Sequence, residues 1–483
     1  MPRMARMSRY VPWLYGLVAL LTAVVIVQVL RSGADPANSA AADYLPLAWM
    51  AALMLLVVFV LAACLRRVDV QLGGFFPWLV GLVSLVVSVL PWWSLKAGNP
   101  DLAAKFYMGL HVPQGIMPFW DLSLILRSID CSRFGFDVFV ANNGCLKDPA
   151  IYGPGVLWLK VIPVHLASEA TVSVLGLIAL LISSLFLIWL ARMSGGLGQL
   201  ALLVAAVGCP WLLLLERGNL DVVVIWVAGV AVLLVRRWDR LWMWWLCAVP
   251  IWVVGTWKYY PFALGIMLIP ALRLRRGWTV LVGYGLATAI FMVLTWSNFR
   301  FSSAANTAMV NLGDFVVLGR TPVVSRMLGT VVGGASWQGN DLLILMLAIS
   351  AVAWGVALGL YVRRIAPHSA MLAAGGSVVF LATVLVSGFG YAYKSVFLIL
   401  CIPLLSQFIP SRNRRILASA LLVLALVVIQ SIVVWNTVLA TTSGILSASF
   451  CLGLGTTLMV KSVLAHRQVP DLRELLLSRD SIN

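Results

Sequence analysis

The residues able to do chemistry sit in a few polar islands within a chain that is otherwise apolar. The largest island occupies the stretch 94–151, and its centre, continued to Gly155, reads FWDLSLILRSIDCSRFGFDVFVANNGCLKDPAIYGPG from Phe119 onward. It gathers the carboxylates Asp121, Asp130, Asp137 and Asp148, the amides Asn142 and Asn143, and the cysteines Cys131 and Cys145. Three shorter islands follow: Glu216-Arg217-Gly218-Asn219-Leu220-Asp221, Lys258-Tyr259-Tyr260-Pro261, and Tyr391-Ala392-Tyr393-Lys394.

Each island admits two readings. Asp121 follows Pro118, Phe119 and Trp120 and precedes an apolar run, so it suits a helix N-cap. A carboxylate at such a boundary could equally take the proton from an acceptor hydroxyl. Asp130 lies about two and a half helical turns further on, where it either shares a cleft with Asp121 or faces water. The turn Tyr152-Gly153-Pro154-Gly155 needs its glycines and proline simply to reverse the chain, but that does not account for the amides and the tyrosine collected there. In the 216–221 island, so many polar side chains between apolar runs are costly unless paired or functional; the plain alternative is a solvated hairpin whose ion pair contributes little. Lys258, Tyr259, Tyr391 and Lys394 suit interfacial anchors, and they equally suit cations and hydroxyls facing a phosphate. Arg300, Arg320 and Arg326 extend that cationic surface.

The elements that must position these groups are membrane helices. Of 483 residues, 62% are hydrophobic and 11% are charged, whereas soluble chains carry about 25% charged residues. Apolar runs long enough to cross a hydrocarbon core of roughly 30 Å recur along the chain. They are continuous rather than alternating, which excludes a β-barrel. The fold expected is an all-α polytopic membrane protein with about fourteen spans, beginning with Val11–Leu30 and Leu45–Leu65 and ending with Gly444–Leu464. Residues 1–470 then form one transmembrane domain, with long loops at 94–168 and 297–340 and a tail at 471–483.

Charge supplies the orientation. The net charge of +17 would point to nucleic acid in a soluble protein, but here its source is arginine in short loops: Arg66/Arg67, Arg192, Arg236/Arg237/Arg240, Arg273/Arg275/Arg276, Arg363/Arg364 and Arg412/Arg414/Arg415. The positive-inside rule places these loops, and both termini, in the cytoplasm. All four polar islands then fall on the outer face. Chemistry confined to one face resembles an enzyme more than a carrier, which needs polar groups near the midplane. No Walker motif, HExxH or nucleophile elbow occurs.

The order and sidedness of the islands resemble the GT-C superfamily of polytopic glycosyltransferases, most closely the bacterial polyprenyl-phosphate mannosyltransferase-like families. The residues carrying the resemblance are Asp121 opening a helix in a long outer loop, Tyr152-Gly-Pro-Gly155, Glu216-Arg-Gly-Asn-Leu-Asp221, Lys258-Tyr-Tyr-Pro261 and Tyr393-Lys394-Ser-Val-Phe-Leu398. The family's common Tyr-Pro-Pro reads Tyr-Gly-Pro here. The resemblance implies a GT-C-like bundle in the bacterial inner membrane. It also implies transfer of a sugar from a polyprenyl-phosphate donor to an envelope glycan or glycolipid acceptor at the outer face. Asp121 would then be the base and Arg217, Lys258 and Lys394 the phosphate-binding cations. Asp130, Tyr152, Glu216, Asn219, Asp221, Tyr259 and Tyr391 complete the expected substrate contacts. Partners would be the lipid-linked donor, the acceptor and membrane lipids, with no nucleic acid. No cofactor is called for; a divalent metal is left open, although no adjacent acidic pair occurs. The alternatives are a polymerase or ligase using pyrophosphate-linked glycans, and a flippase for lipid-linked sugars.

Cys64, Cys209, Cys247, Cys401 and Cys451 lie in apolar runs and read as small core residues. Cys131 and Cys145 share the outer loop, where an oxidising compartment would allow them to pair or to remain as two thiols. A disulfide predicts that a thiol reagent applied without reductant labels neither residue and that reductant opens both to it; labelling of both before reduction would reject the pairing.

Overall fold

The computed structural model describes residues 74–101, 103, 118–140, 143–147, 149–150, 152–162, 165–235, 240–299, 339–362, 367–386, 392–411, 413–432 and 437–480. All of them belong to one compact unit, Gln71–Asn483. The expected spans Val11–Leu30 and Leu45–Leu65, and Arg300, Arg320, Arg326, Tyr391, Asn142 and Asp148, lie outside the described residues.

Among the described residues every regular element is helical. In chain order they are α1 (Phe76–Lys96), α2 (Trp120–Arg133), a short 3-10 helix (Pro154–Val161), α3 (Glu169–Met193), α4 (Gly196–Ala206), α5 (Cys209–Arg217), α6 (Asp221–Val235) and α7 (Leu241–Lys258). A second 3-10 helix (Tyr260–Arg273) leads to α8 (Trp278–Leu294), α9 (Gly339–Tyr361) and α10 (Pro367–Leu381). A π-helical turn (Ala382–Val386) extends α10, and a third 3-10 helix (Ala392–Cys401) leads to α11 (Ile402–Phe408), α12 (Arg414–Ile432) and α13 (Thr437–Asp480). These helices occupy the apolar stretches of the sequence, as continuous hydrophobicity without water requires: a helix satisfies its own backbone groups.

The protein is therefore a helical, membrane-embedded one. Among the described residues four helices are long and apolar enough to cross a bilayer, and a fifth span results if the bent pair α4 and α5 is counted as one. The expected count of about fourteen is not established. The expected single span over 197–215 is broken by 51°. The cause is local: Gly208 is extended and Pro210 enters the first turn of α5, where it has no N–H to continue the ladder.

Contacts fix which helix ends lie together. Lys96, at the end of α1, pairs with Glu169, at the start of α3, while Arg192, at the end of α3, stacks over Trp78 near the start of α1. The two are thus antiparallel. Asp221, at the start of α6, meets Lys258, at the end of α7. Arg273, at the end of the second 3-10 helix, lies over Trp244 near the start of α7. Elsewhere the bundle closes on small residues. A methyl added at Gly355 of α9 would come 2.1 Å from the Phe450 carbonyl of α13, and one at Gly453 would come 2.3 Å from the Val352 carbonyl. Backbones this close exclude side chains, and membrane helices gain contact area by such approach.

The loop after α2 is pinned rather than loose. Cys131 and Cys145 form a disulfide, and Cys131, Val138, Leu146 and Ala150 make a small separate core. Arg133 donates to the carbonyls of Lys160 and Ile162. The glycines of the 152–155 turn then serve a purpose the sequence reading did not give them. Gly153 has an ordinary φ of −64°, so reversal alone does not demand it. Its N–H donates to the Trp257 carbonyl at 2.6 Å, and a methyl there would come 2.2 Å from the Thr256 carbonyl. The turn is a docking contact between the loop and the end of α7. Gly153→Ala should therefore cost about 1–3 kcal/mol of stability through overpacking, read as a lower thermal midpoint, whereas Gly285→Ala, where a methyl meets nothing within 4 Å, should leave the midpoint in place. Equal midpoints for the two variants would disprove the docking role.

Candidate functional site

The polar islands converge on one hydrogen-bonded cluster built from helix ends. α5 finishes at Arg217, and Gly218 follows with φ +60°, a left-handed conformation that glycine adopts without cost. A methyl there would also come 3.0 Å from the Leu122 side chain. The sharp exit puts Asn219 and Asp221 beside Arg217 within a few residues. The Phe119 N–H donates to the Glu216 carbonyl at 2.7 Å, which ties the start of α2 to the same corner.

Asp121 is not the N-cap. Phe119 holds that position, in a left-handed conformation at φ 59°, and no side chain caps the helix. Asp121 sits in the first turn, where the helix dipole favours a negative charge. Its carboxylate receives Arg217 Nε at 3.0 Å and Asn219 Nδ2 at 2.5 Å. Asn219 bridges onward: its Oδ1 accepts from the Asp221 N–H at 3.1 Å and from Lys258 Nζ.

Asp221 is the centre of the second half. Its side chain is 0% exposed. Lys258 Nζ donates to it at 2.7 Å, and Lys394 Nζ and the Tyr260 hydroxyl also donate to it. Lys394 Nζ donates further to the Tyr260 hydroxyl at 2.6 Å. The Tyr152 ring covers Lys258, with Nζ 5.2 Å from its centroid. Three cations thus meet two carboxylates in this set, so in their ordinary protonation states the cluster carries one excess positive charge. Arg217 is the most accessible cation, with 30% of its side chain exposed against 9% for Lys258 and 6% for Lys394.

Of the residues singled out from the sequence, Asp121, Tyr152, Arg217, Asn219, Asp221, Lys258 and Lys394 come together. Three do not. Asp130 is buried, but its carboxylate accepts the N–H groups of Leu166 and Ala167 at 3.2 and 2.8 Å and pairs with Arg133 and His165. It pins the loop and takes no part in the cluster. Tyr259 has φ +64°, which throws its ring against Phe291 and Phe299; the neighbouring Tyr260 takes the place expected of it. Glu216 ties this corner through its carbonyl, and the residue lines a cavity with Val87, Ser88 and Trp92 of α1. Tyr391 lies outside the described residues. Tyr260 is the functional candidate that the sequence reading passed over. The Lys258-Tyr259-Tyr260-Pro261 string could flag both tyrosines but not which one turned inward.

Among the described residues no three His, Cys, Asp or Glu side chains gather to hold a metal ion. Comparison with protein-family models, with curated proteins and with solved structures found no match.

The cluster makes a stability prediction. Asp221→Asn leaves Lys258 and Lys394 buried together without their carboxylate and should cost about 3–5 kcal/mol. Adding Lys394→Met to it removes the uncompensated charge and should recover part of that loss. Thermal unfolding in detergent reads both; an Asp221→Asn protein as stable as the native one would show that these charges are not what holds the corner.

Proposed function

We propose that this protein is an integral-membrane glycosyltransferase. It moves a sugar from a polyprenyl-phosphate donor to an envelope glycan or glycolipid acceptor, with Asp121 as general base. The observation that carries the reading is the meeting of Asp121, Arg217, Asn219, Asp221, Lys258, Tyr260 and Lys394, drawn from separated polar islands, in one buried cluster at helix ends.

The division of labour follows from burial and bonding. Asp221 is wholly enclosed and held by two ammonium groups and a phenol, so it serves as a fixed counter-charge. Asp121 keeps lone pairs beyond the one it gives to each of Arg217 and Asn219, since an ionised carboxylate has about four. It can take the proton of an acceptor hydroxyl as that oxygen attacks the anomeric carbon. The anomeric carbon–oxygen bond then breaks, and the electron pair leaves on the phosphate, which passes from diester to monoester. The added charge develops where Arg217 and the two lysines can stabilise it, the kind of preorganised electrostatics that lowers such barriers most. Direct displacement of this kind inverts the anomeric configuration. The lipid tail lies among the apolar helices, and the cluster faces the extracytoplasmic side, with the arginine-rich helix ends in the cytoplasm.

The test is sugar transfer by the purified full chain in lipid vesicles, using a radiolabelled sugar on a polyprenyl phosphate. Asp121→Asn should lower transfer by about a hundredfold or more in protein that still folds and unfolds cooperatively. Activity retained in that variant removes Asp121 from the role. A native protein that transfers sugar from no polyprenyl-phosphate donor overturns the reading.

A further inference from the structure

At the end of α7 remote from Lys258, arginines from two segments meet exposed tryptophans. Arg240 precedes α7, and Arg273, Arg275 and Arg276 mark the turn between the second 3-10 helix and α8. Arg273 lies over the Trp244 ring, 5.8 Å from its centroid, which sets the two segments side by side. Arg240, Arg275 and Arg276 are exposed, as are Trp242 and Trp278. From Arg240 to Phe299 the sequence holds no Asp or Glu, so nothing within these segments neutralises the arginines; Asp239, just before them, lies outside the described residues. At two other helix ends the cation is already committed. Arg192 stacks over Trp78, and Lys461 donates to the carbonyls of Gly359, Leu360 and Val362 at the close of α9.

Below the arginines the helices leave an apolar seam. α7 and α8 run parallel. A methyl on Gly283 would come 2.3 Å from the Trp245 ring, and further along both helices Trp252 meets Phe291 edge-on at 5.7 Å. Beside Trp245, α7 exposes Trp242, Leu246 and Val249; beside Gly283, α8 exposes Val282, Leu286 and Ile290. With 3.6 residues per turn and parallel axes, both sets fall on the same side of the α7–α8 contact. Val249 lies about 14 Å along the axis from Arg240 at 1.5 Å per residue, close to one leaflet of a hydrocarbon core of roughly 30 Å.

Unneutralised charge at the top, indole rings at the boundary and an apolar seam one leaflet deep are together complementary to one kind of molecule. A guanidinium offers paired N–H donors to two phosphate oxygens. Tryptophan sits at the headgroup level of a bilayer, and basic sites between membrane helices take anionic headgroups. A zwitterionic lipid is disfavoured, because its ammonium group is repelled by the same arginines. We infer that the α7–α8 seam is a binding site for an anionic phospholipid, with the phosphodiester on Arg240, Arg275 and Arg276 and the acyl chains along the seam. The site lies at the opposite end of α7 from Lys258, so it is separate from the polar cluster and does not depend on the glycosyltransferase reading.

The test is photolabelling of the full chain in an uncharged detergent by a phosphatidylglycerol that carries a diazirine near the top of one acyl chain. The probe should label segments 240–249 and 276–286. Unlabelled phosphatidylglycerol should compete better, by about fivefold or more, than phosphatidylcholine with the same chains. Arg275→Gln and Arg276→Gln should each weaken labelling there by about fivefold, the worth of one cation beside an anionic headgroup. Arg192→Gln, at a different helix end, should leave it unchanged. Glycerol phosphate has the charge but no chains and should not compete; competition by it would show a site for free phosphate and overturn the lipid. Equal competition by phosphatidylcholine, labelling with no preference for these segments, or indifference to both substitutions also overturns the proposal. The competition arm uses the native chain, so it decides the matter even where a variant folds poorly.

Discussion

One enclosed carboxylate, Asp221, sets the terms for the rest of this corner. A negative charge taken wholly out of water carries a penalty of several kcal/mol even after the protein relaxes around it. It is tolerable only where positive and hydrogen-bonding groups arrive in compensation. Lys258, Lys394 and Tyr260 do so, and they come from α7, the third 3-10 helix and the second 3-10 helix. The lysines have the converse need, since a buried ammonium is as costly as a buried carboxylate. Segments far apart in sequence are therefore locked by mutual requirement, and the apolar helices behind them fill the space that these ends define.

The second constraint is the sharp exit from α5. Gly218 allows the chain to leave α5 and start α6 almost at once, and Asn219 links the Asp121 carboxylate, through its Nδ2, to Lys258 and the Asp221 backbone N–H, through its Oδ1. The loop from α2 reaches the same place from outside. It is anchored by the disulfide, by Asp130 and Arg133, and by the Gly153 contact with the end of α7. Those anchors bring Tyr152 over Lys258. Asp130 thus contributes to the site only at a distance, through the loop that it holds.

Much of this was legible in the sequence, for a physical reason. Continuous apolar runs must become helices when water is absent, and polar residues between such runs must gather or be exposed, so the islands themselves marked the corner. The pairing of Cys131 with Cys145 was also within reach, because both sit in one short loop. What stayed hidden depends on directions that spacing does not encode. The sign of φ at Tyr259 decides which of two adjacent tyrosines turns inward. Asp130 has the same residue type and the same helix as Asp121, yet its orientation commits it to backbone N–H groups. Phe119, an apolar residue, takes the N-cap position because its left-handed backbone and buried ring fix the corner, and no capping preference would point to it.

The same geometry separates the roles of the two carboxylates in the cluster. A general base must reach a proton on a second molecule, and it must have an acceptor lone pair left when that molecule arrives. Asp221 is closed off by the groups that make its burial tolerable, and moving it would strand two ammonium groups. Asp121 is partly open, with 10% of its side chain exposed, and it is held by one guanidinium and one amide at the start of a helix. The restraint on it orients the carboxylate without enclosing it. If proton transfer occurs at this corner, the same burial that makes Asp221 structurally indispensable disqualifies it from the chemistry, and Asp121 is the group left in position to act.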